Sequence, residues 1–170
     1  EGLPPPREGG AGGDASGAGA GAGVVGGGET RVKTVEDVLT YRLPDQSNRL
    51  ALVFDPLGDS LPFTFGVEIF EPGHVTPLHS HEGAYELFFI LNGEGIGRCN
   101  GASFPLSAGD VAIFPPGSVH GIDNLDGRLY CLEFMVPNER FAEMVRSGTE
   151  DSLDEDDLCA LVARGCGGVE

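Results

Sequence analysis

Two stretches decide the fold: Gly73-His-Val-Thr-Pro-Leu-His79-Ser-His81-Glu-Gly-Ala-Tyr-Glu86, and Gly109-Asp-Val-Ala-Ile-Phe-Pro115-Pro-Gly117-Ser-Val-His120-Gly-Ile-Asp-Asn124. His79 and His81 stand two apart, so on an extended strand both imidazoles leave from one face, where a single metal ion could take both. Glu86 lies five residues further on, the wrong parity for one straight strand. The chain must therefore bend within Glu82-Gly83-Ala84 to return that carboxylate to the histidines, and Gly83 makes such a bend easy. His120 follows a Pro115-Pro-Gly117 turn that opens a new strand, which a closed sheet could bring alongside the first. Three imidazoles and one carboxylate then converge.

Composition narrows the partners. The 170 residues hold 27 acidic against 10 basic side chains, a formal charge of -17, and Lys33 is the only lysine. Nucleic acid is excluded as a partner, because phosphate binding needs basic patches that this chain lacks. No membrane span is expected either, since no apolar run approaches the roughly 20 residues required. Between Leu50 and Pro137 the only cations are Arg98 and Arg128, too few to neutralise a polyphosphate substrate. Cys99, Cys131, Cys159 and Cys166 show neither a paired framework nor zinc spacing, and no secretory signal pattern opens the chain. A reducing, cytoplasmic setting is the expectation, with organellar targeting left open because the first residue is Glu.

Four regions are expected along the chain. Residues 1–28 alternate Gly with Ala around Pro4-Pro5-Pro6, bury too little to offset their ordering entropy, and read as a disordered tail. Residues 29–49 form an N-terminal arm, in which Thr34-Val-Glu-Asp37 resembles a helix start with a capping box. Residues 50–137 carry short apolar runs between closely spaced turns, the pattern of an all-β barrel or sandwich. Strands are expected at Leu50–Phe54, Phe63–Phe70, Glu86–Leu91, Gly95–Cys99, Val111–Phe114 and Leu129–Met135. Asn92-Gly93 and Asn100-Gly101 are both two-residue hairpin signals. Residues 138–170 make an acidic helical tail. Asn138 caps one helix, with Phe141, Met144 and Val145 packing on the outside of the barrel, and Ser152 starts another over Leu153–Arg164. The acidic run Asp154 to Asp157 reads as a solvated helix start.

The two opening stretches resemble the paired signature motifs of the cupin superfamily: Gly73, His79, His81, Glu86 and Gly93 in the first, and Gly109, Pro115, Gly117, His120 and Asn124 in the second. The resemblance covers about Leu50 to Pro137. It implies a double-stranded β-helix, or jelly-roll, barrel with short flanking helices, holding one divalent metal through His79, His81, Glu86 and His120. Gly93, Gly109, Pro115 and Gly117 serve turns, Asn124 ties a turn through its side chain, and His74 is expected in an exposed loop or behind the ligands. Homodimers are common among such barrels, and a homodimer is a modest expectation here.

Imidazole and carboxylate suit Fe(II), Mn(II), Ni(II), Co(II) or Zn(II), and the absence of thiolate argues against a closed structural zinc site. Four protein ligands leave an octahedral ion two open positions, so catalysis is possible. Strand alternation puts Phe88 and Ile90 on the Glu86 face and Ile122 beside His120, giving a largely apolar cavity. Tyr85, Arg98, Tyr130 and Glu133 are the remaining candidates for acid, base or anchor. One functional expectation is a metal-dependent, dioxygenase-like oxidoreductase on a small apolar or enolic compound, with Glu86 able to move a proton. A metal-dependent isomerase or lyase fits the same ligands. The other class is a small-ligand or metal-binding barrel without turnover.

Overall fold

The computed structural model describes residues 30–162. The tail expected at 1–28 lies outside the described residues, as does the end of the last helix. Contacts divide the chain between Arg31 and Val32, and every described strand and helix belongs to the unit that begins at Val32.

Among the described residues, ten strands and three short helices follow a single 3₁₀ turn at Val35–Asp37. They run β1 (Thr40–Arg42), β2 (Arg49–Phe54), α1 (Pro56–Asp59), β3 (Thr64–Phe70), β4 (Tyr85–Asn92), β5 (Glu94–Cys99) and β6 (Ala102–Ser107). Then come β7 (Val111–Phe114), β8 (His120–Asn124), β9 (Leu129–Val136), α2 (Phe141–Arg146), β10 (Thr149–Asp151) and α3 (Glu155–Leu161). All pairing is antiparallel, in a seven-stranded sheet ordered β10-β1-β2-β3-β9-β4-β7 and a three-stranded sheet ordered β6-β5-β8. The expected all-β jelly roll is the observed class, built as two sheets. Phe70, Phe88, Ile90 and Phe114 of the larger sheet pack with Leu106 and Ile122 of the smaller, so one apolar core joins them.

Several local expectations need correction. Asn100-Gly101 is the predicted type of hairpin, with positive φ at both residues (49° and 84°) joining β5 to β6. Asn92-Gly93 is not one. Only Gly93 has positive φ, and β4 and β5 belong to different sheets, so the chain turns a corner there and crosses between layers. A Cβ on Gly93 would sit 2.5 Å from the Arg128 carbonyl oxygen, at φ +91°. Gly93→Ala should therefore destabilise the fold by about 2 kcal/mol or more, through both the strained conformation and the clash, measurable as a lower urea midpoint; an unchanged midpoint would contradict this.

β1, β10 and β6 were not anticipated. The first two span three residues each, too short to show a period, and β6 carries Pro105, which an end strand of a sheet tolerates. The Thr34 turn is also shorter than a helix. Its hydroxyl bonds the Asp37 carboxylate at 2.7 Å and caps no backbone amide.

The C-terminal segment is better anchored than its composition suggests. α3 starts at Asp154, which forms a capping box with Asp157. Asp157 is not solvated: it is fully buried, 2.7 Å from Arg49 Nη1, and accepts from Arg128 and the Tyr130 hydroxyl. Leu153, Ala160 and Leu161 pack on Ala51, Val67, Ile69 and Tyr130. The absence of a paired framework in the cysteine spacing does not exclude a single bridge. Cys159 is disulfide-bonded, while Cys99 and Cys131 are free. A reading of spacings across the chain looks for a repeated framework and is blind to one bridge.

Candidate metal centre

The four expected residues come together, and each reaches the centre by a different route. Residues 75–81 form no continuous strand, yet they run antiparallel beside β8. His79 N and His120 N each donate to the other's carbonyl, at 3.1 and 2.8 Å, so the two residues face each other across a bridge. The chain then bends at Glu82 and Gly83, as the parity of Glu86 requires, and enters β4. Glu139, from the segment before α2, clamps that bend by accepting from Gly83 N at 2.8 Å and Ala84 N at 3.2 Å. Glu86 thus projects from the larger sheet, and His120 from the smaller.

One ligand atom from each of His79, His81, Glu86 and His120 can be chosen so that all lie within 4.8 Å of one another. Glu86 Oε2 is 2.6 Å from His120 Nε2, 3.5 Å from His81 Nε2 and 4.0 Å from His79 Nε2. His79 Nδ1 bonds the Pro77 carbonyl and His120 Nδ1 the Ser118 carbonyl, both at 2.9 Å. Those acceptors require a proton on Nδ1, which leaves Nε2 of each ring as the atom that faces the shared centre. His81 Nε2 is buried and has no hydrogen-bond partner. An orphaned imidazole nitrogen within a ring of nitrogen and oxygen donors is what a divalent ion would satisfy. The residues fit the metal that the spacing implies.

Burial shapes the electrostatics. It pushes the Glu86 carboxyl up, but the His120 hydrogen bond and the adjoining His81 ring outweigh it and draw that carboxyl down to about 2. Burial lowers His120, and its bond to Glu86 more than compensates, so its value is raised. His79 is lowered, chiefly by burial, which keeps it neutral and ready to ligate. The His120 ring also stacks on Phe114, with centroids 4.4 Å apart and planes 8° from parallel, which fixes its plane.

These residues line a cavity of about 320 Å³. Its walls are mainly apolar, with Phe70, Phe88 and Ile122 from the sheets and Leu43, Phe141 and Met144 from the flanking segments. Phe141 and Met144 therefore do not pack on the outside of the barrel: α2 and the arm contribute to the cavity wall. Asn138 is not the N-cap of α2: the helix begins at Phe141 with Arg140 at the cap position, and Asn138 Oδ1 accepts from Ala142 N at 2.9 Å from two residues further back.

The other candidates fall elsewhere. Tyr85 is exposed, Tyr130 bonds Asp157 on the outer side, and Arg98 is held by the Thr76 carbonyl and Asp123. Neither Arg98 nor Arg128 lines the cavity. Glu133 is fully buried, both its oxygens lack partners, and it is absent from the cavity wall. His74 is buried, not exposed, and pairs with Ser47 Oγ at 2.8 Å. Asn124 does tie its turn, donating to the Phe70, Glu71 and Gly127 carbonyls. Gln46, Asn48, Glu68 and Glu139 went unrecognised in the sequence. Only Glu68 left a signal: it is a lone acid inside an otherwise apolar strand.

The cupin domain family model matches residues 66–134, which contain all four site residues. The chain thus carries a cupin domain over that stretch. It is 45% identical over 53 residues to the oxalate-binding protein of Thermotoga maritima, a match covering 31% of this chain and 44% of that protein. The matched stretch thus spans less than half the length of that relative. Among solved structures, a predicted oxalate decarboxylase from Thermotoga maritima superposes with a TM-score of 0.58 at 26% identity, covering 63% of this chain and 99% of that one. A cupin 2 conserved barrel domain protein from Salinispora arenicola superposes with a TM-score of 0.50 at 27% identity, covering 70% and 93%. No helix among the described residues is long and apolar enough to cross a membrane.

Proposed function

We propose that this chain binds one divalent metal ion through His79, His81, Glu86 and His120 and acts on a small, largely apolar or enolic compound in a dioxygenase-like oxidation. The observation that carries this is the placement of four convergent ligand atoms on the wall of an apolar cavity. When bound, the ion supplies Lewis-acid and redox chemistry there. The chain's own part is to orient and to exclude water. Phe70, Phe88, Ile122, Phe141 and Met144 present apolar walls, and Glu86 would be available to move a proton only where its carboxylate is released from the ion. No Lys or Arg lines the cavity, so a ligand with several charges would find no counter-charge there.

A second reading is binding of a small carboxylate such as oxalate, with or without turnover, and the 45% identity to an oxalate-binding protein favours it. The volume favours the first. At about 30 Å³ per water, a cavity of about 320 Å³ holds roughly ten water-sized groups, more than the six heavy atoms of oxalate. A second copy would pair through the apolar strip at the β7 end of the larger sheet. There Phe89 faces Val111 and Leu87 faces Ile113 across the strands, with Val111 62% exposed and Ile113 56%.

The test is elemental analysis of the purified chain, then oxygen uptake by Fe(II)-loaded protein with enols, catechols and thiols, and calorimetry with oxalate. We expect uptake with at least one enol or catechol and a fall of more than about 100-fold in His79→Ala. His79 is the most exposed ligand, 41% by side chain, so its removal opens no core cavity. Full metal occupancy with no turnover, together with tight oxalate binding, would establish the second reading instead.

A further inference from the structure

The cavity wall contributed by the arm and β3 offers more hydrogen-bonding capacity than the protein itself uses. Asn48 is 1% exposed and donates from Nδ2 to Glu68 Oε1, while its Oδ1 is buried without a partner. Gln46 Oε1, two residues earlier, is likewise buried and unpartnered. Asn48, Gln46 and Glu68 all line the cavity. Buried polar atoms in folded chains almost always find partners, so two free acceptors on one cavity wall call for an explanation. Turning the Asn48 amide over would exchange a free acceptor for a free donor, and one position would stay unfilled either way.

We propose that Gln46, Asn48 and Glu68 form a second subsite of the cavity, which takes a hydroxyl group that the ligand carries away from its metal-chelating end. This rests on the metal-site reading above and adds to it the class of ligand: a small chelator with a hydroxylated arm. A hydroxyl can donate to either free oxygen and accept in return. In the metal-free chain burial, with the charge of Glu86 adding to it, pushes the Glu68 carboxyl up to about 8; burial, the larger cause, persists when a cation offsets Glu86 and favours the protonated form, which can donate in its turn. A charged arm fits less well, since it would lose its hydration among apolar walls with no Lys or Arg on the cavity lining. β9 lies between β3 and β4, which separates the backbones bearing Glu68 and Glu86 by about 10 Å. The two groups therefore stand on different strands of the wall and would take different parts of one ligand.

The experiment is calorimetric titration of the zinc-loaded full chain with two matched pairs of chelators. Allomaltol and kojic acid differ by one hydroxyl on a short arm, and an ethyl and a hydroxyethyl catechol differ likewise on a longer one. The hydroxylated member of at least one pair is expected to bind roughly tenfold more tightly. Asn48→Leu should bring that ratio close to one while the zinc content stays unchanged. Gln46→Met, at a half-buried position, is the second variant should Asn48→Leu fail to fold, and it should lower the ratio about threefold. A purely structural role for Asn48 would alter stability without altering the ratio. Equal binding within both pairs, or a ratio unmoved in the variants that fold, overturns the subsite and leaves the metal site standing. Failure of the chain to hold zinc overturns the metal-site reading, and the subsite with it, whereas a zinc-loaded chain that binds none of the four compounds overturns the subsite alone.

Discussion

His120→Phe is expected to weaken divalent-metal binding by more than about 100-fold and to leave the barrel folded, because removing a direct ligand exceeds the 10- to 100-fold effect of losing a partner behind one. The substitution keeps an aromatic ring to stack on Phe114 at the 4.4 Å seen for His120, so the core is not emptied. It removes the Nε2 that lies 2.6 Å from Glu86 Oε2 and the Nδ1 bond to Ser118. Glu86, 3% exposed, then loses its main counterweight to burial, and its carboxyl rises from about 2. A stability loss of about 1–3 kcal/mol follows from the disrupted pair. The wild type should also bind metal more tightly as pH rises, since the raised His120 must give up its proton to ligate. The metal-free chain carries two opposed dependences. The depressed Glu86 contributes stability that is present above the ordinary carboxylate range and is lost as pH falls towards about 2. The raised His120 contributes stability that is present below the ordinary imidazole value and is lost as pH climbs through its folded one. Metal content after dialysis and circular dichroism check both parts, and a His120→Phe protein that retains stoichiometric metal would refute the ligand assignment.

What the sequence disclosed was what local chemistry writes down. His79, His81, Glu86 and His120 were legible because ligand type and spacing act over a few residues, and Gly117 and Asn124 because turns do. The bend at Glu82-Gly83 followed from parity alone. The misreadings share a cause. Asn92-Gly93 specifies a sharp reversal, but whether the flanking strands then pair depends on which sheet each joins, and that is settled by the core linking Phe88 with Ile122. Glu139 reaches the bend from 56 residues away, and Asn48 meets Glu68 across 20, so no window of sequence contains either contact. Asp157 resembled every other acid of its run until Arg49 and Tyr130 closed over it. Phe141 and Met144 showed the periodicity of an amphipathic helix, and periodicity cannot say whether its apolar side meets an outer wall or lines a cavity.

Glu133→Met is expected to stabilise the metal-free protein, with a gain larger at pH 8 than at pH 5. Glu133 is 0% exposed, sits between Gly66 of β3 and Phe88 of β4 in the register, and neither of its oxygens has a partner. Burial, with the charges of Glu86 and Glu68 adding to it, pushes its carboxyl well above the ordinary range. The folded chain therefore keeps a proton that the unfolded chain releases near pH 4.5, and stability falls as pH rises from there towards the folded value. Glu68 acts in the same sense, with its folded value near 8. Methionine matches glutamate in length, is unbranched, and leaves no unpaired polar atom. At pH 5 the gain is the removed desolvation of an unpartnered carboxyl, about 1–3 kcal/mol, or several degrees in melting temperature. At pH 8 the removed proton linkage adds to it. A divalent cation beside Glu86 offsets neighbouring negative charge, so the gain should shrink in the metal-loaded protein, and that shrinkage would explain why the chain tolerates Glu133 at all. Thermal unfolding with chelator and with zinc, at both pH values, reads all four conditions. A lower melting temperature for Glu133→Met in chelator at pH 8 would show that the carboxyl has a stabilising partner that the geometry lacks.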